Sequence, residues 1–192
     1  MPFVALTGGM GAGKSTALAM LARLGADVLS SDAVVHDLYQ GAQLRDAVVA
    51  RWGAGVAPGG VVDRAAIAQR TFSDDRERAW LEALVWPLVG ARIASWLEQA
   101  RGREPAPRAA VVEIPLLFES GMEGLYDATV AVVAEEPLRL ARAAARDHAL
   151  AEERAARQLS QEEKARRATF VVRNDGTERD LERALSAMLD KL

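Results

Sequence analysis

The chain has no cysteine, which removes disulfides and thiolate metal sites from consideration and fits a reducing compartment. It has no surplus of basic residues either: 24 Lys and Arg stand against 27 Asp and Glu, a formal net charge of −3. Binding along a nucleic-acid backbone draws on cationic surplus, so no nucleic-acid partner is expected and any anion site must be local. No apolar run reaches the length of a membrane span, and Met1-Pro2-Phe3-Val4-Ala5-Leu6 leads into glycines without a basic leader or a cleavage pattern. These absences predict a soluble, cytoplasmic protein with no membrane partner; the oligomeric state has no signature here. Internal repeats and true low-complexity tracts are also lacking. What is present is an ordinary globular composition of 192 residues, 50% apolar and 27% charged, enough for one α/β domain or a core with a small insertion.

Short apolar runs alternate with longer helical patterns, the signature of an α/β fold in which helices cover a parallel sheet. Phe3 to Leu6 reads as a buried first strand, followed by a glycine loop and a helix from about Lys14 to Leu24 that Gly25 terminates. Ala26 to Leu29, Ala109 to Ile114, Ala128 to Ala134 and Thr169 to Val172 read as four further strands. Between the second and third strands the chain is long and helical. Asp63 is placed to cap a helix carrying Ile67, Glu77 to Leu84 reads as another helix, and Pro87 as the first turn of one running to about Gln99. Pro137 opens a helix, and the stretch from there to Arg167, dense in Arg, Glu and Ala, reads as a solvated lid.

The sharpest motif is Gly8-Gly9-Met10-Gly11-Ala12-Gly13-Lys14-Ser15, a glycine, four residues and then Gly-Lys-Ser, set between a strand and a helix. Phosphate binding needs backbone N–H groups turned inward around an anion. Glycines permit the tight and positive-φ backbone that does this, so Gly9, Met10, Gly11, Ala12 and Gly13 form the expected cradle. Lys14 can reach the β- and γ-phosphates, the Ser15 hydroxyl is placed for Mg²⁺, and Thr16 can donate to a phosphate oxygen. The expected ligand is a nucleotide with Mg²⁺.

A phosphate loop alone does not separate kinases from other nucleotide-binding proteins, so the acceptor side must be sought elsewhere. Asp32 follows the second strand directly, where the carboxyl ends of parallel strands open on one crevice, and its carboxylate could orient an acceptor hydroxyl and take its proton. Capping the following helix, which carries Val34, Val35 and Leu38, is the competing reading, and the two roles can coexist. Arg139, Arg142 and Arg146 share one helical face, which suits either closure over a triphosphate or a solvated, salt-laced surface among Glu135, Glu136, Glu152 and Glu153. Glu113, at the end of an apolar strand, is a candidate to help hold magnesium. Pro115-Leu116-Leu117-Phe118-Glu119 reads as core and strand termination or as a wall of the acceptor site.

These residues resemble a known family. Ala5 through Thr16 looks like the opening of the dephospho-CoA kinases. Leu24-Gly25 with a following strand and Asp32, Leu81-Glu82 before Pro87-Leu88-Val89, Pro115-Leu116-Leu117-Phe118-Glu119, Arg142, Arg146, Gln161, and Asn174 ahead of Gly176 stand in that family's order and spacing. The resemblance covers essentially the whole chain. It implies a five-stranded parallel sheet of the nucleoside-monophosphate-kinase type, with a helical substrate subdomain over about 36–107 and a helical lid over about 137–167. The core would then comprise about 1–35, 108–136 and 168–192. It implies phosphorylation of the ribose 3′-hydroxyl of dephospho-CoA by ATP, giving CoA and ADP, with Asp32 as base, Lys14 as phosphate clamp and Ser15 as magnesium ligand. Arg142 and Arg146 would be lid arginines, Asn174 would lie near the adenine, and Leu116 and Phe118 would face the acceptor.

Departures from the family pattern lie on the acceptor side: Ser30 replaces a common acid, His36 a common Arg, Trp86 the usual His before Pro87, and Thr169 a frequent Asp. His36 could still donate to a phosphate when protonated, and Trp86 beside Leu84, Val85 and Leu88 reads as packing. Two alternatives stay open: another small-molecule kinase of this fold, acting on a nucleoside monophosphate, shikimate or gluconate, or a nucleotide-dependent switch without catalysis.

Overall fold

The structure is a computed structural model that describes residues 1–144 and 158–192. In chain order its main elements are β1 (Phe3–Gly8), α1 (Lys14–Arg23), β2 (Asp27–Ser30), α2 (Ser31–Gln40), α3 (Ala42–Trp52), α4 (Arg64–Phe72), α5 (Asp75–Arg101), β3 (Ala110–Glu113), β4 (Ala128–Val133), α6 (Glu136–Ala144), α7 (Gln161–Arg167), β5 (Phe170–Arg173) and α8 (Glu178–Leu189). The five strands form one parallel sheet in the order β2-β3-β1-β4-β5, as the α/β reading expects. The chain divides into two compact units, Met1–Ser30 with Leu97–Leu192, and Ser31–Trp96.

In the first unit β1 is the central strand, paired with β3 on one side and β4 on the other, with Val4 opposite both Val111 and Ala128. Buried on both faces, β1, β3 and β4 are nearly continuous apolar runs, which is why they are legible as strands. Val4, Leu6, Val111, Val130 and Val132 pack with Leu18 and Leu21 of α1 and Leu181, Leu185 and Met188 of α8 in one core. Each such side chain contributes about 1.5–3 kcal/mol on burial. No helix is predicted above beyond the fifth strand, yet α8 supplies Leu181, Leu185, Met188 and Leu189 to that core.

The second unit packs α2, α3, α4 and the first turns of α5 around Leu44, Val48, Val56, Val62, Ile67 and Val85. Asp63 caps α4 as expected, its carboxylate accepting from the Ala65 and Ala66 N–H groups at 2.9 and 3.2 Å. Glu77 accepts from Arg51 at 2.8 Å and from the Trp52 indole N–H at 2.6 Å, and these bonds, Arg51's foremost, hold its carboxyl below the usual range. Trp52 meets Trp80 edge-on, ring centres 5.0 Å apart.

Two expectations are corrected here. Pro87 does not open a new helix: α5 runs unbroken from Asp75 to Arg101 with Pro87 inside it. An interior proline costs about 3 kcal/mol, and the apolar face on either side of it, Trp80, Leu81, Leu84, Val85 and Val89, packs on the unit's core and offsets that cost. Trp86 is not packed but 58% exposed. Val85 and Val89 are four apart and share the inward face, so Trp86 is turned about 100° away from it.

Candidate active site

At the carboxyl edge of the sheet β1 ends on Gly8, and the chain turns through Gly9–Gly13 into α1. Gly11 and Gly13 take the left-handed conformation, at φ +74° and +94°. Only glycine fits there for a second reason: a Cβ on Gly11 would fall on the Arg139 backbone, and one on Gly13 on the Asn174 amide nitrogen. Gly13 is the N-cap of α1 and brings no side chain to cap it, and no acidic residue sits in the first turn. The N–H groups and the positive end of the helix dipole therefore stay available to an anion. The Ala12 N–H closes the loop onto the Gly9 carbonyl at 3.2 Å, and the Lys14 ammonium donates to the same carbonyl at 3.2 Å. Lys14 thus lies back over the cradle, while Ser15 and Thr16 are exposed at the helix mouth.

Asn174, just past β5, is buried and tied on three sides. Its side-chain amide donates to the Ala12 carbonyl at 2.9 Å, its N–H to Val133 at 2.8 Å, and its carbonyl accepts from Arg142 at 3.1 Å. Arg142 on α6 is therefore linked to the phosphate loop through one residue. Arg139, one turn earlier, comes closer still, its guanidinium lying against Gly9 and its backbone against Gly11. The sequence groups Arg139 with the other two arginines by spacing, but only the fold shows that it abuts the loop. A cavity of about 790 Å³ opens beside Gly9 and Met10, walled by Glu135, Arg139 and Leu140 on one side and Leu159, Ser160 and Gln161 on the other. Gln161 fixes the latter wall by accepting from the Ala134 N–H at 2.7 Å. Arg146 lies outside the described residues.

Glu113 is 7% exposed at the end of β3, in register with Leu6 of β1 and Ser30 of β2. Beyond it Leu116 is exposed, whereas Phe118 is 3% exposed with the Arg167 guanidinium 4.8 Å from its ring centre. Lys164, which the sequence hides in a charged helix, is fully buried; its ammonium sits 2.9 Å from Glu119 and donates to the Pro115 carbonyl at 2.6 Å. Thr169 exchanges hydrogen bonds with Thr129, donating its N–H at 3.0 Å and accepting the Thr129 N–H at 3.1 Å, so its hydroxyl serves the β4–β5 junction.

Asp32 and His36 belong to the second unit. Because α2 already begins at Ser31, Asp32 lies inside the first helical turn and is exposed, a position where the helix dipole favours its charge. His36 is also exposed, its Nδ1 3.2 Å from the Arg64 guanidinium, which lies over the Tyr39 ring at 5.2 Å. Burial pushes the Tyr39 hydroxyl up, and Arg64 partly counters that.

A glycine cradle after the central strand of a parallel sheet, at the mouth of an uncapped helix, abutted by Arg139 and linked through Asn174 to Arg142 of the helix after β4, defines a P-loop kinase. The family model of dephospho-CoA kinases matches residues 2–180. The chain is 42% identical over 190 residues to the dephospho-CoA kinase of Deinococcus radiodurans, covering 97% of this chain and 90% of that one. The crystal structure of TT1252 from Thermus thermophilus matches with a TM-score of 0.81 at 37% identity, over 100% of this chain and 98% of that one. The dephospho-CoA kinase of Campylobacter jejuni shares the fold, with a TM-score of 0.70 at 23% identity over 98% and 95% of the two chains. The chain belongs to the dephospho-CoA kinase family. Among the described residues, no helix is long and apolar enough to cross a membrane.

Proposed function

We propose that this chain transfers the γ-phosphoryl group of ATP to the ribose 3′-hydroxyl of dephospho-CoA, giving CoA and ADP. The observation that carries this reading is a complete phosphate cradle, Gly9 to Thr16, in a chain that belongs to the dephospho-CoA kinase family from residue 2 to 180. The N–H groups of the loop hold the β-phosphate, and Lys14 leaves the Gly9 carbonyl to bridge the β- and γ-oxygens. Arg139 and Arg142 enter from α6 and take up charge spreading onto the transferred group; removing such a donor costs about 100- to 1000-fold in rate.

Asp32 orients the 3′-hydroxyl and accepts its proton as the new O–P bond forms, a role that its exposed carboxylate directly after β2 supports. His36 and Leu116 are the acceptor-facing candidates that stand exposed. Ser15 in the first turn of α1 and Glu113 at the carboxyl end of β3, a hydroxyl and a carboxylate, suit a hard divalent cation. Mg²⁺ bound by them would supply charge neutralisation on the phosphate oxygens. The work proceeds in the cytoplasm on a small-molecule substrate.

The test is mass spectrometry of products after incubation with Mg-ATP and dephospho-CoA, with Asp32→Asn and Lys14→Ala beside wild type. CoA from wild type and at least a 100-fold loss in both variants is the expected result. ATP binding without CoA formation would send the search to other hydroxyl acceptors and defeat the assignment.

A further inference from the structure

Lys164 has no exposed surface, yet it touches neither the phosphate loop nor the cavity beside it. Its ammonium lies 2.9 Å from Glu119 Oε1 and 2.6 Å from the Pro115 carbonyl. The same Glu119 oxygen accepts the Leu159 N–H at 2.8 Å, and the same Pro115 carbonyl accepts the Thr7 hydroxyl at 3.3 Å. Two charged groups therefore join three pieces of chain: Leu159 to Gln161, which walls the cavity; Pro115 to Glu119, which follows β3; and Thr7, which immediately precedes the phosphate loop. The other carboxylate oxygen, Glu119 Oε2, is buried with no hydrogen-bond partner among the described residues.

For stability alone this is a poor arrangement. Two charges leave water and one oxygen is left unsatisfied, where an apolar pair of similar volume would serve as well or better. What a carboxylate and an ammonium provide that an apolar pair does not is direction: Oε1 fixes where the Leu159 N–H can sit, and Nζ fixes the Pro115 carbonyl. We infer that Glu119 and Lys164 are positioning residues, holding the 159–161 wall of the cavity at a set distance from the phosphate loop so that phosphoryl transfer excludes water. The inference rests on the kinase reading of the site. The role requires no contact with a phosphate: both side chains act through the backbone groups they hold.

The decisive protein is the full chain carrying Glu119→Leu with Lys164→Met, which removes both charges without leaving one buried alone. Lys164→Met by itself strands the carboxylate and should lower the unfolding temperature, and the apolar pair should recover it. The expected result is an apolar-pair protein with near-wild-type melting but kcat reduced at least tenfold, KM for ATP within about twofold, and more ADP than CoA among its products. Exchange of the Leu159 amide with solvent should be faster as well. Wild-type kcat with equal ADP and CoA would make the pair purely structural and overturn the inference. If wild type forms no CoA, the kinase reading has failed instead, and the Leu159 amide decides: unchanged exchange in the apolar pair overturns the positioning role. Should the apolar pair not fold, Lys164→Met with Glu119→Gln takes its place, and wild-type kcat with equal products again overturns the inference.

Discussion

At the scale of single residues the donor site depends on close approach rather than on charge alone. Asn174 shows this. Its buried amide holds the Ala12 carbonyl while its own carbonyl holds Arg142, so it shapes the cradle from behind. Asn174→Ala would leave the Ala12 carbonyl without that partner at a cost of about 1–3 kcal/mol. ATP KM in coupled-assay kinetics should rise about tenfold or more, with the loss larger for kcat if Arg142 is misplaced as well. Gly13→Ala should be harsher, since the new methyl meets both a left-handed backbone and the Asn174 amide. The Gly-Lys-Ser spacing was legible because each residue there acts through its own type. Asn174, Arg139 and Lys164 were less so, because their surroundings come from chain far away: Asn174 meets Ala12 across 162 positions, and Lys164 meets Pro115 across 49. In sequence Lys164 stands among Glu162, Glu163, Arg166 and Arg167 and looks solvated.

At the scale of elements, β1, β3 and β4 could be read because strands buried on both faces must be apolar throughout, and α4 because Asp63 announces it. Two features of the helices escaped for opposite reasons. Pro87 signals a start that tertiary packing overrides. The start of α8 is signalled by Thr177 and Asp180, three apart, which form a reciprocal capping box: the Asp180 N–H donates to the Thr177 hydroxyl and the Thr177 N–H to the Asp180 carboxylate. Because Leu181, Leu185, Met188 and Leu189 of α8 pack on the main core, loosening its first turn loosens more than a surface helix. Thr177→Ala should destabilise the protein by about 1 kcal/mol in urea titration. Hydrogen bonds from the Thr177 hydroxyl and N–H hold the Asp180 carboxyl below its ordinary 3.8. A depressed carboxyl contributes stability above its unfolded value and loses it as pH falls through the folded one. The stability gap between wild type and Asp180→Asn should therefore be constant at neutral pH and shrink as the pH falls below 3.8.

At the scale of the whole molecule the residues proposed for the phosphate donor and the proposed base fall in different compact units. Gly9 to Thr16, Arg139, Arg142 and Asn174 belong to the unit formed by Met1–Ser30 and Leu97–Leu192, while Asp32 and His36 belong to Ser31–Trp96. The division bears on why the role proposed for Asp32 and His36 was less legible than the phosphate cradle. Phosphate binding is a backbone geometry with a fixed sequence signature, whereas the second unit is helices around an apolar core and announces no ligand. It also gives a way to take the two functions apart by linkage. A ligand bound only to folded protein stabilises it by about 2.7 kcal/mol at 100 times its dissociation constant, which for a chain of this size raises the unfolding temperature by roughly 5–10 °C. Mg-ATP should produce that rise in wild type and equally in Asp32→Asn, because the role proposed for Asp32 is on the acceptor and not on the triphosphate. Lys14→Ala should show little of it. Dephospho-CoA should turn over with ATP only in wild type. An Asp32→Asn protein that loses the ATP-dependent rise in differential scanning calorimetry would place Asp32 on the donor side and remove it as the base for the 3′-hydroxyl.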